Sequence, residues 1–374
     1  FSFPMRVLIA VDKFKGGATS SEIALAIEKG LRKSFGKATF DICPLADGGE
    51  GTIDALVSAK AGKIAKIPTK NALGLSVSAP IGLLDDGRVG VIEMSAASGL
   101  AMIPEKERNP MISSTLGTGI LMKSAAEMGC KRLLLGIGGS ATNDGGLGVA
   151  LALGYRFKGS DGSMVTDLNG LLDATELLPP SAPWAHEVIV ACDVDNPLLG
   201  PRGATRVYGP QKGVKDFAWF ESRLTRLADL AEGVCGRRLR DVPGAGAAGG
   251  LGFGLMAFAG ARLESGFELV AACTGLEERV RRADVVITGE GRLDRQTLSG
   301  KGPAGVARLA RSLGRRVVAV AGSAEDSAEV RAAFDATVTV KPAAMELAEA
   351  MRRTCELVEA AVAARAGEIV GGRG

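Results

Sequence analysis

The sequence predicts an α/β protein in which a doubly wound parallel sheet carries a second, inserted α/β domain. Three observations predict it. Apolar strand-like runs alternate with amphipathic helical runs at both ends of the chain, and this rhythm stops near residue 66 and resumes near 283. The apolar runs end in turns rich in glycine and carboxylate, as strands of an open parallel sheet do at their ligand-binding edge. At 374 residues the chain is long enough for about two domains, each with its own core.

The elements follow in order. "MRVLIAVD" reads as a buried parallel strand ending in Asp12. "TSSEIALAIEKGLRKSF" reads as a helix: Thr19 and Glu22 form a capping box, and Ile23, Ile27, Leu31 and Phe35 share one face. "TFDICPL" is a second strand and "EGTIDALVSAK" a second helix. From Ile64 the pattern becomes short antiparallel strands around an Asp85-Asp86-Gly87 turn. A helix near 114–128, the strands "RLLLGI" and "EVIVACD", a long amphipathic helix and the glycine-dense "PGAGAAGGLGFGLMAFAGARL" complete the middle. "DVVITGE", "RRVVAVAG" and "ATVTVKP" restore the first rhythm, closed by a helix carrying Leu347, Met351, Val358 and Val362. The expected domains are therefore 1–66 with 283–374, and 67–282 as the insertion.

Composition narrows the function. Charge is nearly balanced, at +3, with Lys and Arg interspersed among Asp and Glu, and aromatics make up only 4%. A nucleic-acid surface, which needs basic stretches interleaved with aromatics, is not expected. No apolar run approaches the ~20 residues that span a bilayer. The opening Phe1–Pro4 lacks a charged n-region and cleavage site, so Met5 is read as the natural start. Six scattered cysteines without a CxxC pair suit reduced thiols of a cytoplasmic protein. The single histidine, His186, rules out a His-rich metal site and reads as a surface residue.

Glycine is the outlier at 52 residues, nearly twice the typical share of ~7%. In "GIGGSATNDGG" an apolar strand runs into Gly138-Gly139-Ser140, a pattern suited to turning backbone N–H groups towards a phosphate. Comparable loops follow the outer-domain strands: Asp12 to Gly17, "ADGGEGT" at 46–52, and "TGEGRLDRQT" at 288–297 with "SGKGP" closing it. Any one of them alone reads as a tight turn with a capped helix; three at one sheet edge read as a site. Lys15, Lys212, Arg292 and Lys301 can neutralise anionic ligands, and Asp47, Asp144, Asp193 and Asp294 can hold Mg²⁺ through oxygen. Asp144 also reads as a cap for the helix beginning near Gly145.

Two dinucleotide-like spacings occur, Gly136/Gly138/Ala141 and Gly244/Gly246/Gly249. The first is followed by "TNDGG" and, at about twenty residues, by no strand ending in an acidic residue, and the second follows no clear strand, so an NAD(P)-linked hydroxy-acid dehydrogenase is the weaker reading. A Walker A loop and the protein-kinase signatures are absent from the sequence.

"DKFKG", "ADGGEGT", "IEMSAASGL", "GIGGSATNDGG", "ACDVDNPLLG", "GPQKG", "PGAGAAGG" and "ITGEGRLDRQT", in this order, closely resemble the class I glycerate kinases, the bacterial ATP-dependent type. The resemblance runs from Met5 to the C-terminal helix. It implies a flavodoxin-like domain with an inserted α/β domain, a site in the cleft between them, and ATP–Mg²⁺-dependent phosphorylation of D-glycerate. It departs from the family pattern at Gly17-Ala18, where many relatives have Ser-Leu, and at Ile120, where many carry glutamate.

Phosphoryl transfer needs positioning and charge stabilisation more than covalent help. The expected phosphate ligands are the turns at Gly138, Gly139, Ser140, Gly289 and Gly291, with Lys212, Lys301 and Lys15. Asp193, with Asn196 or Asp47, is expected at Mg²⁺. Asp193 or Asp294 is expected to take the proton of the attacking hydroxyl. Asp47, Gly48, Gly49 and Glu50 are expected at the substrate, with Arg292 clamping its carboxylate. Residue spacing does not separate the C2 from the C3 hydroxyl; the resemblance implies 2-phospho-D-glycerate, with a glycerate 3-kinase as the alternative. Partners are expected to be small molecules only, with the protein a monomer or homodimer.

Overall fold

The computed structural model describes residues 4–46, 48–295, 297 and 302–371. The chain divides into two compact units, one of Phe1–Asp47, Asp54–Ala59 and Phe267–Gly374, the other of Gly48–Ile53 and Lys60–Gly266.

The first unit is built on five parallel strands, ordered Ala336–Thr339, Arg316–Ala321, Val285–Gly289, Arg6–Val11, Thr39–Ile42. Counted along the chain this is the flavodoxin order 2-1-3-4-5. Both faces are covered. Val7, Ile9 and Val11 pack with Ile23, Ile27 and Leu31 of helix Ser20–Arg32 and with Val358 and Val362 of helix Thr354–Ala364. Leu8, Val286 and Val317 face the other way, onto Val306 of helix Pro303–Ser312 and onto Leu276 and Val280. Alternate residues of one strand thus feed two cores, which is why these strands read as unbroken apolar runs. The expected capping box is present: Thr19 Oγ1 accepts the N–H of Glu22, and the Glu22 carboxylate accepts that of Thr19. Gly30 lets the two helices approach closely, since a Cβ there would lie 2.7 Å from the Glu359 carbonyl oxygen. The single C-terminal helix expected from the pattern is three pieces, Leu347–Arg352, Thr354–Ala364 and Ala366–Val370. Gly17 is also set by packing, because a Cβ there would lie 2.4 Å from Thr354 Oγ1.

The second unit holds a six-stranded sheet. Arg262–Glu264, Glu187–Ala191, Arg132–Gly136 and Val89–Glu93 run parallel, and Ser76–Leu84 and Lys63–Lys70 complete it antiparallel. The Asp85–Gly87 turn joins Ser76–Leu84 to its antiparallel neighbour Val89–Glu93, with Asp85 and Asp86 at positive φ. Helices Leu116–Glu127 and Ala247–Ala259 supply Leu121, Met122, Leu251 and Leu255 to its core. A further core gathers Phe220, Leu224 and Leu227 of helix Phe217–Cys235 with Phe157 and Leu177 of a small antiparallel sheet.

The junctions differ from the expected 66/67 and 282/283. Lys63–Lys70 pairs along its whole length with Ser76–Leu84 and so belongs to the second unit. Phe267, Leu276 and Val280 pack into the first unit's core, which moves the return to Phe267. No described helix is long and apolar enough to cross a membrane.

Candidate functional site

In the first unit the strand order reverses between Arg6–Val11 and Val285–Gly289, and ligands of such sheets bind at that point, beyond the carboxyl ends. Asp12 and the Gly289–Asp294 segment emerge there side by side, joined by the Asp12 N–H donating to the Gly289 carbonyl at 2.8 Å. Phe14 is buried and anchors the loop, Lys15 is exposed, and Gly16 takes φ +76°. Gly289 must be glycine, because a Cβ would sit 1.8 Å from the Val320 carbonyl oxygen. Gly291 passes close to the backbone of Phe14 and Lys15. The segment expected as a loop is held by a short strand, Arg292–Leu293, paired parallel with Ser323–Ala324.

This places Arg292, exposed, beside Asp294: Arg292 Nε and Asp294 Oδ2 are 3.5 Å apart. Asp294 Oδ1 accepts the N–H of Thr297, and Thr297 Oγ1 accepts that of Asp294, a reciprocal cap that fixes the carboxylate. Lys301 and Asp47 lie outside the described residues.

In the second unit, three parallel strands end under the loop 48–53. A Cβ on Gly136 would lie 2.1 Å from the Gly48 carbonyl oxygen, and one on Gly48 (φ +85°) would lie 2.2 Å from the Ala191 Cβ. Gly138 meets Gly49 at 3.1 Å in the same sense. These glycines let a backbone segment lie directly on strand ends. Glu93, the last residue of its strand and 8% exposed, accepts the N–H groups of Gly51 and Ile53 at 3.0 and 2.8 Å. Sequence reasoning missed Glu93; its signal was an acidic residue closing an otherwise apolar strand. Glu50 is exposed at the crest of the loop.

Beside that loop the turn Gly138–Ser140 is tied from behind. Leu100 N–H donates to the Gly139 carbonyl and Ala141 N–H to that of Ser98. Gly139 takes φ +74°, and Gly138 and Gly139 are exposed. Among the described residues nothing accepts the N–H groups of Gly138, Gly139 or Ser140. Successive N–H groups left in this way beside a left-handed glycine are the elements from which anion-binding nests are built.

Three expected ligands are committed elsewhere. Lys212, expected at phosphate, is 1% exposed and its Nζ donates to Ser140 Oγ at 2.7 Å and to the Thr142 carbonyl at 2.6 Å. Burial lowers its pKa to about 7, opposed by the nearby Asp144 carboxylate. Asp144, a candidate for Mg²⁺, is 2% exposed and accepts from Thr115 N and Oγ1, Gly146 N and Gly148 N. Burial pushes its carboxyl up while these donors pull it down; it accepts N–H groups at the start of helix Leu147–Ala152, although the N-cap is Gly146 and not the expected aspartate. Asn196, expected at Mg²⁺, donates to the Arg202 carbonyl and accepts the Tyr208 hydroxyl at 2.6 Å, so its amide is a loop brace.

Asp193 is different. It lies exposed just beyond strand Glu187–Ala191 and accepts the Ser265 hydroxyl at 2.9 Å. No group of three or more His, Cys, Asp or Glu among the described residues is arranged to hold a metal ion. Mg²⁺ needs no such cage when one or two carboxylates, substrate phosphate oxygens and waters complete its octahedron, and the exposed Asp193 fits that donor set.

The second dinucleotide-like spacing is an internal crossing. A Cβ on Gly246 would meet the Pro197 carbonyl oxygen at 2.1 Å, and one on Gly249 (φ +70°) that of Thr142 at 1.9 Å. His186, expected at the surface, is half-buried, with Nδ1 2.8 Å from the Cys130 carbonyl oxygen.

A 2-1-3-4-5 sheet with charged loops at its switch point, and a second α/β unit with unaccepted N–H groups past one strand and an exposed aspartate past the neighbouring strand, point to an α/β enzyme acting on small charged ligands. Residues 7–369 match the family model described as the glycerate kinase family. The chain is 43% identical over 363 residues, 95% of each chain, to the glycerate kinase of Bacillus subtilis (strain 168). It is 41% identical over 356 residues, 93% of each chain, to the glycerate 2-kinase of Escherichia coli (strain K12). A crystal structure from Salmonella typhimurium LT2, assigned there to glycerate kinase 2, superimposes with a TM-score of 0.88 at 39% identity, covering 98% of each chain. The chain belongs to the glycerate kinase family and is an enzyme of that family, a phosphotransferase.

Proposed function

We propose that the protein transfers the γ-phosphoryl group of ATP to the C2 hydroxyl of D-glycerate, giving 2-phospho-D-glycerate and ADP. The observation that carries the reading is the set of three unaccepted N–H groups at Gly138, Gly139 and Ser140, with Asp193 exposed at a neighbouring strand end in the same unit. The nest would receive phosphate oxygens, where fixed N–H dipoles stabilise charge without reorganisation. Asp193 would hold Mg²⁺, which when bound spreads the charge of the transferring phosphoryl group.

In the first unit Lys15 and Arg292 are exposed cations at the switch point. Arg292 is assigned to the glycerate carboxylate, which its planar fork can hold in two-point fashion, and Lys15 to phosphate. Gly289 and Gly291 shape that edge for close backbone approach, and Gly48, Gly49 and Glu50 are assigned to substrate. The proton acceptor is Asp193 or Asp294. The C2 choice is supported by the similarity to the Escherichia coli protein named glycerate 2-kinase; a site that orients the carboxylate also orients the carbon beside it.

The test is ADP release from ATP on adding D-glycerate, with and without EDTA, followed by coupling of the product to enolase with phosphoglycerate mutase left out. Signal without mutase supports the C2 product. Signal only with mutase replaces it with a 3-kinase, and no D-glycerate-dependent ADP release overturns the reading.

A further inference from the structure

A lysine next to a phosphate-binding turn ordinarily reaches out to the ligand, but Lys212 reaches inward. Its Nζ holds the Ser140 hydroxyl at 2.7 Å and the Thr142 carbonyl at 2.6 Å from a side chain that is 1% exposed. The stretch it grips is pinned from other directions as well. Asn143 Nδ2 donates to Thr205 Oγ1 at 3.0 Å, Asp144 takes four donors, and Gly249 lies against the Thr142 carbonyl. Ser140 is where this internal network meets the exposed glycines 138 and 139. Taking an ammonium group out of water is unfavourable unless its donors are used, and here two of them are used on the turn and its continuation.

We propose that Lys212 is a positioning residue that acts from inside the protein, holding the Gly138–Ser140 turn in the conformation that presents its three N–H groups to phosphate. It does not touch the nucleotide. The proposal rests on the reading of this turn as the phosphate-binding element, so the test begins there. Hydrogen–deuterium exchange of the full chain with and without MgADP should show slower exchange in peptides covering 138–140. Unchanged exchange there overturns both the reading and the proposal.

With protection established, Lys212→Met should raise KM for ATP and the Kd for MgADP tenfold or more and leave KM for D-glycerate within twofold. Exchange at 138–146 in the ligand-free variant should also be faster. A general loss of structure would move both KM values, whereas loss of the strut moves one. Wild-type KM for ATP in a folded Lys212→Met protein overturns the proposal and leaves the phosphate reading standing. Should Lys212→Met fail to fold, Ser140→Ala carries the test, because it removes the acceptor and keeps the lysine. A severalfold rise confined to KM for ATP supports the strut, and no rise overturns it.

Discussion

The carboxylate of Glu93 accepts the N–H of Ile53 at 2.8 Å and that of Gly51 at 3.0 Å, so the end of one strand closes the first turn of a helix forty residues earlier in the chain. Buried carboxylate–amide contacts of this kind are stronger than neutral ones. Glu93→Ala should cost about 1–3 kcal/mol of stability, the penalty for donors left unaccepted. Urea denaturation of the variant checks this, and a change under a few tenths of a kcal/mol would remove Glu93 from the supports of the loop.

Asp193→Asn keeps the size and the Ser265 contact but removes the charge. It should lower kcat by ~10²-fold or more with the fold intact. Steady-state kinetics beside circular dichroism decide it: a folded variant with near wild-type kcat takes Asp193 off both the metal and the proton.

Asn196→Ala tests the opposite outcome. The residue braces Tyr208 and Arg202, so its loss should cost about 1–2 kcal/mol of stability. The dependence of rate on Mg²⁺ concentration should stay unchanged. A shifted Mg²⁺ requirement would return Asn196 to the metal.

Gly249→Ala places a methyl group against the Thr142 carbonyl in a left-handed conformation. Strain of roughly 1 kcal/mol adds to overpacking of about 1–3 kcal/mol, so the melting temperature should fall by several degrees. Nicotinamide nucleotides should not protect the wild-type protein against heat, because this glycine cluster is filled by its own backbone.

Lys212 also sets a pH dependence. Burial lowers its folded pKa from 10.5 to about 7, so between these values the unfolded chain holds the extra proton. The linkage relation then makes stability rise with pH across that window. Below pH 7 both states are protonated and the full cost of burying the charge remains. Stability of the wild type relative to Lys212→Met should therefore increase from pH 7 to pH 10; a flat or falling difference contradicts it.

Local chemistry decided what the sequence alone determined. Apolar runs located the five strands of the first unit's sheet and most of the second unit's large sheet, but not Arg262–Glu264 or the small antiparallel sheet; the Thr19–Glu22 box marked a helix start and the glycine turns marked strand ends, because each depends on residues a few positions apart. The motifs also sufficed to point to the glycerate kinase family. Which polar side chains face a ligand was not written there. Lys212 and Asp144 are of residue types that bind phosphate and metal, and contacts across long separations help turn them inward, 72 residues between Lys212 and Ser140 and 29 between Asp144 and Thr115; Asn196 is held by the nearer Arg202 and Tyr208. The junctions were illegible for the same reason: nothing within Lys63–Lys70 marks it as leaving the first unit, and only pairing with Ser76–Leu84 assigns it to the second. Burial is a property of what packs over a residue, and periodicity along one segment carries no information about that neighbour.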